Sequence, residues 1–449
     1  MAYSGRIKFK LHGMAEILWF AVWLFLVSLT PAMQAQTFTV LHTFQGTDGA
    51  RPYAGVTLDP HGNLYGVTAY GGLLNCDLGG EIGCGVAFKL TKEKTGWLFS
   101  LLYEFGGNGH LPTYPSSIAL GPNGTPYGAE LEGGIVGSPF QGTVYNLLPP
   151  LTAASATADS FWTYKLIHLF GLGNDGAYPH KIIFDSAGNI FGVTGRGGIT
   201  NDGTVYELSP SGQRWMEDIL YVFAGGADGY LPKEVVLDDA GNLFGITEEG
   251  GNPGCSPFQG CGTIFELTRS GSSWTKTILH AFDQNDDGGV PSPLMRDSAG
   301  NLFGVTSQNG PDNYGTIWEL SPTQNGWVFN VLYSFGFMNV AILGPFAPVM
   351  DASGALYGVN NEGGTNNCGG MFSEPCGNIY KLTPTGNGWT YTDIHDFAYD
   401  DGGCLPVGSL ALDADGNIYG ATYGCGAGGV GTVWEFTPSS KARGANFDH

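Results

Sequence analysis

The chain has 449 residues, enough for one large domain or several, with 74 glycines and 13% aromatic residues. That aromatic content excludes a disordered chain, and glycine without a three-residue period excludes collagen. Only 13% of residues are charged, but 40 Asp and Glu against 18 Lys and Arg give a formal charge of −22, which excludes a surface built to hold nucleic-acid phosphates.

The N-terminus differs from the rest. Arg6, Lys8 and Lys10 precede the apolar run Ile17 to Leu29, and "TPAMQAQ" follows with the small Ala35 before a cut. This is the layout of a secretory signal peptide over residues 1–35, and the run is short for a spanning helix. The alternative is an uncleaved N-terminal anchor, because Met33 suits the third position before the cut poorly. No second apolar run follows, so the mature chain is expected to have no membrane span. The expected location is outside the cytoplasm: secreted, periplasmic or on the cell surface.

From residue 36 the sequence repeats itself. The phrase "DPHGNLYGVTAYGG" from Asp59 returns as "DSAGNIFGVTGRGG" from Asp185, "DDAGNLFGITEEGG" from Asp238 and "DSAGNLFGVTSQNG" from Asp297. Aligned on its central aromatic, the phrase occurs seven times, at Tyr65, Tyr127, Phe191, Phe244, Phe303, Tyr357 and Tyr419, at intervals of 53 to 64 residues. Such a period marks a propeller or a solenoid.

Each copy contains four strand-like pieces. The first ends at the Asp of the phrase, as in "EVVLD" (234–238), and the second is the aromatic burst. The third is "GTVYEL" (203–208) and its relatives, and the fourth runs from near a Trp to a Phe, as in "WTKTILHAF" (274–282). The pieces read as apolar on both faces, which suits strands covered by neighbouring sheets. The seventh copy stops after its third strand, and "TFTVLHTF" (37–44) matches the missing fourth, "TYTDIHDF" (390–397). The fold class is therefore all-β: a seven-bladed β-propeller with four antiparallel strands per blade, the last blade completed by the N-terminal strand 37–44. Closing the ring in this way removes the open edge between first and last blades. The predicted domains are a signal peptide at 1–35, one propeller at 36–438 and a flexible tail at 439–449.

Eight cysteines fall into close pairs: Cys76 and Cys84, Cys255 and Cys261, Cys368 and Cys376, Cys404 and Cys425. An even count in an exported chain points to disulfides, and the spacings lack the C-x-x-C pattern of zinc. The loop "GSPFQGTVY" (137–145) is "CSPFQGCGTIF" (255–265) without its cysteines, so the bridge reads as optional reinforcement rather than a catalytic dithiol.

The words "GNLYGVT" (62–68), "GNLFGIT" (241–247) and "GNLFGVT" (300–306), with the following Gly-Gly and "GTVYEL", resemble the GloVer repeat of bacterial exported proteins, the choice-of-anchor tandem repeat family. The resemblance covers nearly all of the mature chain and implies an exported repeat protein; it implies no established activity. Members typically end in a sorting or anchoring tail, whereas this chain ends in "TPSSKARGANFDH". The wording is also similar, more weakly, to NHL-type and streptogramin-lyase-type propellers.

Ligands of propellers usually sit where the axial channel opens, on the face shared by the loops from strand four to the next strand one and from strand two to three. The four-to-one loops carry Asp48-Gly49, Asp175-Gly176, Asp228-Gly229, Asp287-Gly288 and Asp401-Gly402, with Asn108-Gly109 in the second copy, and turn formation accounts for them. "DQNDDG" (283–288) also begins like an EF-hand calcium loop, with oxygens at Asp283, Asn285 and Asp287, but Leu294 stands where the twelfth-position Glu belongs. Calcium is the one cofactor this sequence suggests.

Strand one should line the channel, and two adjacent copies break its symmetry there. The third has His180-Lys181 and the fourth Lys233-Glu234, with Arg196 in the two-to-three loop of the third. The functional reading is a spot that binds a carboxylate or sugar, or an acid–base pair; the alternative is an ordinary solvated rim. One fourth-strand position reads His42, Tyr103, His168, Tyr221, His280, Tyr333, His395, which argues for a packing or surface role rather than a ring of metals. The signatures of serine hydrolases, P-loop proteins and zincins are missing from the sequence.

The expected function is a binding or interaction module for an extracellular glycan or protein, monomeric and without nucleic-acid partners. The rival is a propeller lyase or hydrolase using His180, Lys181, Lys233 and Glu234, and a third reading is a structural surface-layer component.

Overall fold

The structure is a computed structural model. It describes residues 36–72, 77–78, 81–106, 114–133, 141–150, 162–171, 174–255, 260–271, 273–336, 339–340, 346–368, 375–399 and 402–439. The signal-peptide expectation at 1–35 and most of the tail lie outside these residues, as does Cys76. The chain divides into one compact unit, Thr39–Glu435, and a second unit made of Met1–Phe38 and Phe436–His449.

Seven sheets of antiparallel strands follow one another along the chain and form a seven-bladed β-propeller. Blade 4 shows the pattern without interruption: Tyr230–Leu237, Leu243–Glu249, Thr263–Ser270 and Ser273–Ala281, each paired with the next. In blades 3 and 5 the first strand is split, into Ala177–Pro179 with Ile183–Phe184 and into Gly289–Pro291 with Met295–Arg296. The seventh sheet is ordered Thr37–Thr43, Thr432–Thr437, Ile418–Gly424, Cys404–Leu412, so the N-terminal strand completes the last blade, as the truncated seventh repeat predicts. Among the described residues the one helix is the short 3-10 turn Gly226–Asp228, and no helix is long and apolar enough to cross a membrane.

The repeated phrase owes its wording to three packing demands. Its Asp closes an Asx turn: Asp185 Oδ1 accepts the amides of Ala187 (2.9 Å) and Asn189 (2.8 Å), and Oδ2 accepts the Asn189 side chain (2.8 Å). Asp59, Asp238, Asp297 and Asp413 repeat this arrangement. Its glycine lies under the aromatic ring of the third strand, so that a Cβ on Gly192 would sit 2.4 Å from the Tyr206 hydroxyl. Its Thr forms a hydroxyl pair with the Thr that opens the third strand: Thr194 with Thr204 (2.8 Å), Thr247 with Thr263 (2.8 Å) and Thr422 with Thr432 (2.9 Å). These groups are fully buried and would be costly unpaired.

Second and third strands are buried on both faces, as the sequence predicts, but the fourth strands are not. Ser273–Ala281 alternates exposed and half-buried residues along its first half, because the outermost strand has a blade neighbour on one side only near its end. There the repeated His/Tyr position meets the next blade. His42 stacks on Phe99 at 3.9 Å, Tyr103 on Tyr164 at 5.4 Å, His280 on Phe329 at 3.9 Å and Tyr333 on Tyr391 at 4.4 Å. The packing role expected of this position is what these four pairs show.

Blades are also locked by backbone. Arg51, Tyr114, Tyr178, Leu231, Val290 and Leu405 all have φ between 37° and 59°, and each precedes a proline. In five of them the N–H donates to the two-to-three loop of the preceding blade, as in Val290 N to Cys261 O at 3.2 Å. The proline then rests on that blade's "GT" glycine: a Cβ on Gly262 would lie 2.5 Å from Pro291 Cδ.

Candidate functional site

The first strands carry a β-bulge just after these prolines. In blade 4 the register shifts between Pro232 and Glu234, and in blade 2 between Pro115 and Ser117. A bulge re-aims the extra side chain out of the ladder. The residues so released surround one cavity of about 570 Å³, lined by Tyr53, Ser116, Ser117, His180, Lys181, Lys233, Glu234, Glu248, Ser292, Phe346 and Ser409, among others.

Four of the sequence-predicted residues therefore come together. Lys181 Nζ lies 2.6 Å from Glu234 Oε1, an ion pair from blade 3 to blade 4, and Lys233 Nζ lies 2.6 Å from Glu248 Oε2. Glu234 is only 2% exposed, and its second oxygen, Oε2, has no hydrogen-bond partner among the described residues. The Ser117 hydroxyl, in the same cavity, is likewise buried and unpartnered among the described residues. Burial, with the charge of Lys233, pushes the His180 pKa down to about 3 and keeps its imidazole neutral.

The fifth predicted residue is elsewhere. Arg196 is exposed at the end of the strand Ile190–Arg196, paired with Ala177, and does not line the cavity. In the EF-hand-like loop the oxygens have local partners. Asp283 Oδ1 accepts the Asn285 amide at 2.9 Å, and Asp287 Oδ2 lies 2.8 Å from His280 Nε2. The Asp-Gly motif is more than a turn, because its carboxylate bonds the fourth-strand His or Tyr: His42 to Asp48 (2.9 Å) and Tyr221 to Asp228 (2.8 Å). Asp401 and Asn108 lie outside the described residues.

Disulfides join Cys255 to Cys261, Cys368 to Cys376 and Cys404 to Cys425. The last ties a four-to-one loop to a two-to-three loop. Cys84 is disulfide-bonded too.

Sequence reasoning missed several polar groups. Glu248, the partner of Lys233, follows the Thr of the phrase in "ITEE" and stands where the other copies vary freely. Glu130 replaces that Thr in blade 2; it is 1% exposed, accepts from Thr143 (2.6 Å) and Tyr164 (3.4 Å), and burial raises its pKa to about 8. Glu217 and Lys276 replace the aromatic that the previous blade's His or Tyr stacks upon. Lys276 pairs with Asp228 at 2.8 Å beneath the Tyr221 and Phe223 rings. Aligning the fourth strands on Phe99, Tyr164, Glu217, Lys276, Phe329 and Tyr391 would have exposed both departures.

Several solved structures are similar to this chain. The extracellular domain of a candidate one-component system from B. thetaiotaomicron matches at TM-score 0.52 and 12% identity, over 91% of this chain and 42% of that one. The extracellular domain of a candidate hybrid two-component system from the same organism matches at 0.49 and 12%, over 90% and 41%. The chain thus spans about two fifths of these two neighbours. A candidate 6-phosphogluconolactonase from Bacteroides uniformis matches at 0.45 and 13%, over 76% and 83%. No curated protein matches the chain. The profile of the Gloeobacter/Verrucomicrobia repeat matches residues 151–372, which run from the fourth strand of blade 2 to the middle of blade 6 and include the ion-paired half of the cavity. Residues 151–372 thus match the Gloeobacter/Verrucomicrobia repeat.

Proposed function

We propose that the protein is an exported binding module whose ligand, a glycan or a protein segment, enters the axial cavity. The observation that carries this reading is the Glu234 carboxylate, buried at the cavity wall with one oxygen paired to Lys181 and the other without a partner among the described residues. A buried acceptor of this kind is costly alone and is satisfied by a hydroxyl or amide of a ligand. Tyr53, 41% exposed, and Phe346, 6.1 Å from it between ring centroids, offer an apolar face beside that acceptor, as sugar rings and peptide side chains require. Both lysines are held by carboxylates and His180 is neutral, which favours recognition over acid–base turnover. The basic and apolar N-terminus, the disulfides and the extracellular domains among the fold neighbours support export.

The test is binding to a glycan array and a peptide library, repeated with Glu234→Gln. A hit weakened about tenfold or more by this change is expected, from loss of a charge-assisted hydrogen bond. Hits indifferent to Glu234→Gln would place the ligand elsewhere, and a turnover abolished by His180→Ala would replace the module with the lyase or hydrolase reading. Calcium at Asp283, Asn285 and Asp287 is proposed from the loop motif, and equilibrium dialysis at millimolar calcium tests it.

A further inference from the structure

Of the four described fourth-strand histidine and tyrosine contacts that bring a carboxylate into play, two lack the aromatic partner: Tyr221 faces Lys276, which pairs with Asp228, and His168 faces a second carboxylate. In blade 7 and blade 4 the arrangement is the same: His42 and His280 stack flat on Phe99 and Phe329, and each imidazole is 2.9 Å or 2.8 Å from one loop carboxylate, Asp48 or Asp287. Between blades 2 and 3 the aromatic partner is replaced by Glu217. His168 Nε2 now lies 3.3 Å from Asp175 Oδ2 and 3.3 Å from Glu217 Oε1. Neither His168 Nε2 nor Glu217 Oε1, both buried atoms, makes a hydrogen bond within the described residues. The three donor atoms lie within 4.8 Å of one another.

We propose that His168, Asp175 and Glu217 form a binding site for a first-row divalent cation, with Zn²⁺ the best match, on the outer wall between blades 2 and 3. One imidazole nitrogen and two carboxylate oxygens form a donor set suited to zinc and its neighbours rather than to calcium. A tetrahedral ion about 2.0–2.1 Å from each donor sets those donors about 3.3–3.4 Å apart, which the His168 distances match. The site is held ready from outside: the Gly171 amide donates to the other Asp175 oxygen, Oδ1, at 3.0 Å, fixing the carboxylate. It is also accessible, because the three side chains line a cavity of about 650 Å³ with Asn174 and Ile219, leaving room for a water in the fourth position.

The repeats themselves provide the control variants. Glu217→Phe installs the residue that stands at this position in blades 1 and 5 and so restores the His-on-Phe stack the fold already uses, while His168→Tyr installs the residue of blades 1, 3 and 5 and removes the nitrogen donor. Tag-free full-length protein is stripped with a chelator and titrated with Zn²⁺ alone by calorimetry, then loaded with Co²⁺ for visible absorption. The expected result is one Zn²⁺ per chain, a Co²⁺ d–d band, and loss of both in Glu217→Phe and His168→Tyr, with affinity falling at least about 10–100-fold. Failure of the wild-type protein to take up Zn²⁺ would overturn the proposal, leaving the three residues as a protonated ion-pair cluster. Uptake with unchanged affinity in both variants, each retaining its thermal transition, would overturn it equally.

Discussion

Glu130 shows how one substitution in a repeat changes the chemistry of a blade. Six blades place Thr or Asn at this point, neutral groups that pair across two strands, while blade 2 buries a carboxyl between Thr143 and Tyr164. Desolvation disfavours the anion, and the folded pKa rises from 4.5 to about 8 despite those two hydrogen bonds. Because the folded state holds this proton more tightly than the unfolded one, the contribution is complete below pH 4.5, is lost as pH rises toward 8, and is level above that. One proton limits the slope to about 1.4 kcal/mol per pH unit. Glu130→Gln should therefore flatten the fall of unfolding free energy across this window in urea titrations; an unchanged pH profile would mean the carboxyl is ionised in the folded protein. At the same scale, the departures from the refrain were legible as letters but not as contacts. His180, Lys181, Lys233 and Glu234 stood out in the sequence because their neighbours in the repeat are small, whereas Glu217 did not, because its significance depends on His168, which lies on the previous blade.

The blade is an element whose sequence answers to its neighbours as much as to itself. The "GT" glycine of each third strand is a case. Gly262 has φ +96°, and a Cβ there would meet Pro291 Cδ at 2.5 Å and the Thr247 carbonyl at 2.5 Å. Neither wall is a flexible side-chain end, so Gly262→Ala should cost about 3 kcal/mol or more, from steric overlap plus an unfavourable backbone. Gly241, also at positive φ but with nothing within 4 Å of its Cβ, supplies the comparison: Gly241→Ala should cost only the backbone part, about 1 kcal/mol. Equal midpoints for the two variants in chemical denaturation would refute the inter-blade contact as the cause. The disulfides act at this scale as well. Cys404–Cys425 closes a 21-residue separation, and replacing both by Ser should remove about 3 kcal/mol without disturbing the cavity, measured as the denaturation midpoint of the oxidised protein against the variant.

For the propeller as a whole, closure is the decisive feature. Phe44, fully buried, packs with Val56, Leu64, Phe88 and Leu90 of blade 1 and with Tyr419 and Val433 of blade 7, so the residue after the N-terminal strand joins the last blade to the first. Phe44→Ala should cost about 3–5 kcal/mol, the usual range for truncating a buried aromatic. Since every blade is covered on both sides, the loss should lower one cooperative calorimetric transition. A separate early transition for blade 7 would mean that the ring does not unfold as a unit.

The number of blades, their strand order and the closing strand are legible in the amino-acid sequence, because each depends on local wording: an Asx turn, a glycine beneath an aromatic, a Thr that pairs across two strands. Those demands recur in most blades and so appear as a refrain. The sequence also singled out two copies with ionisable residues after the proline. Which side chains meet was settled by the folded ring. The bulge that turns Lys233 and Glu234 toward the axis, the Lys181–Glu234 pair and the His168–Glu217 contact each join residues of adjacent blades or depend on a shift of register. The physical reason is that a repeat encodes the contacts within its own sheet by hydrogen bonding and packing at short range, whereas the contacts between sheets are set by how closed blades stack.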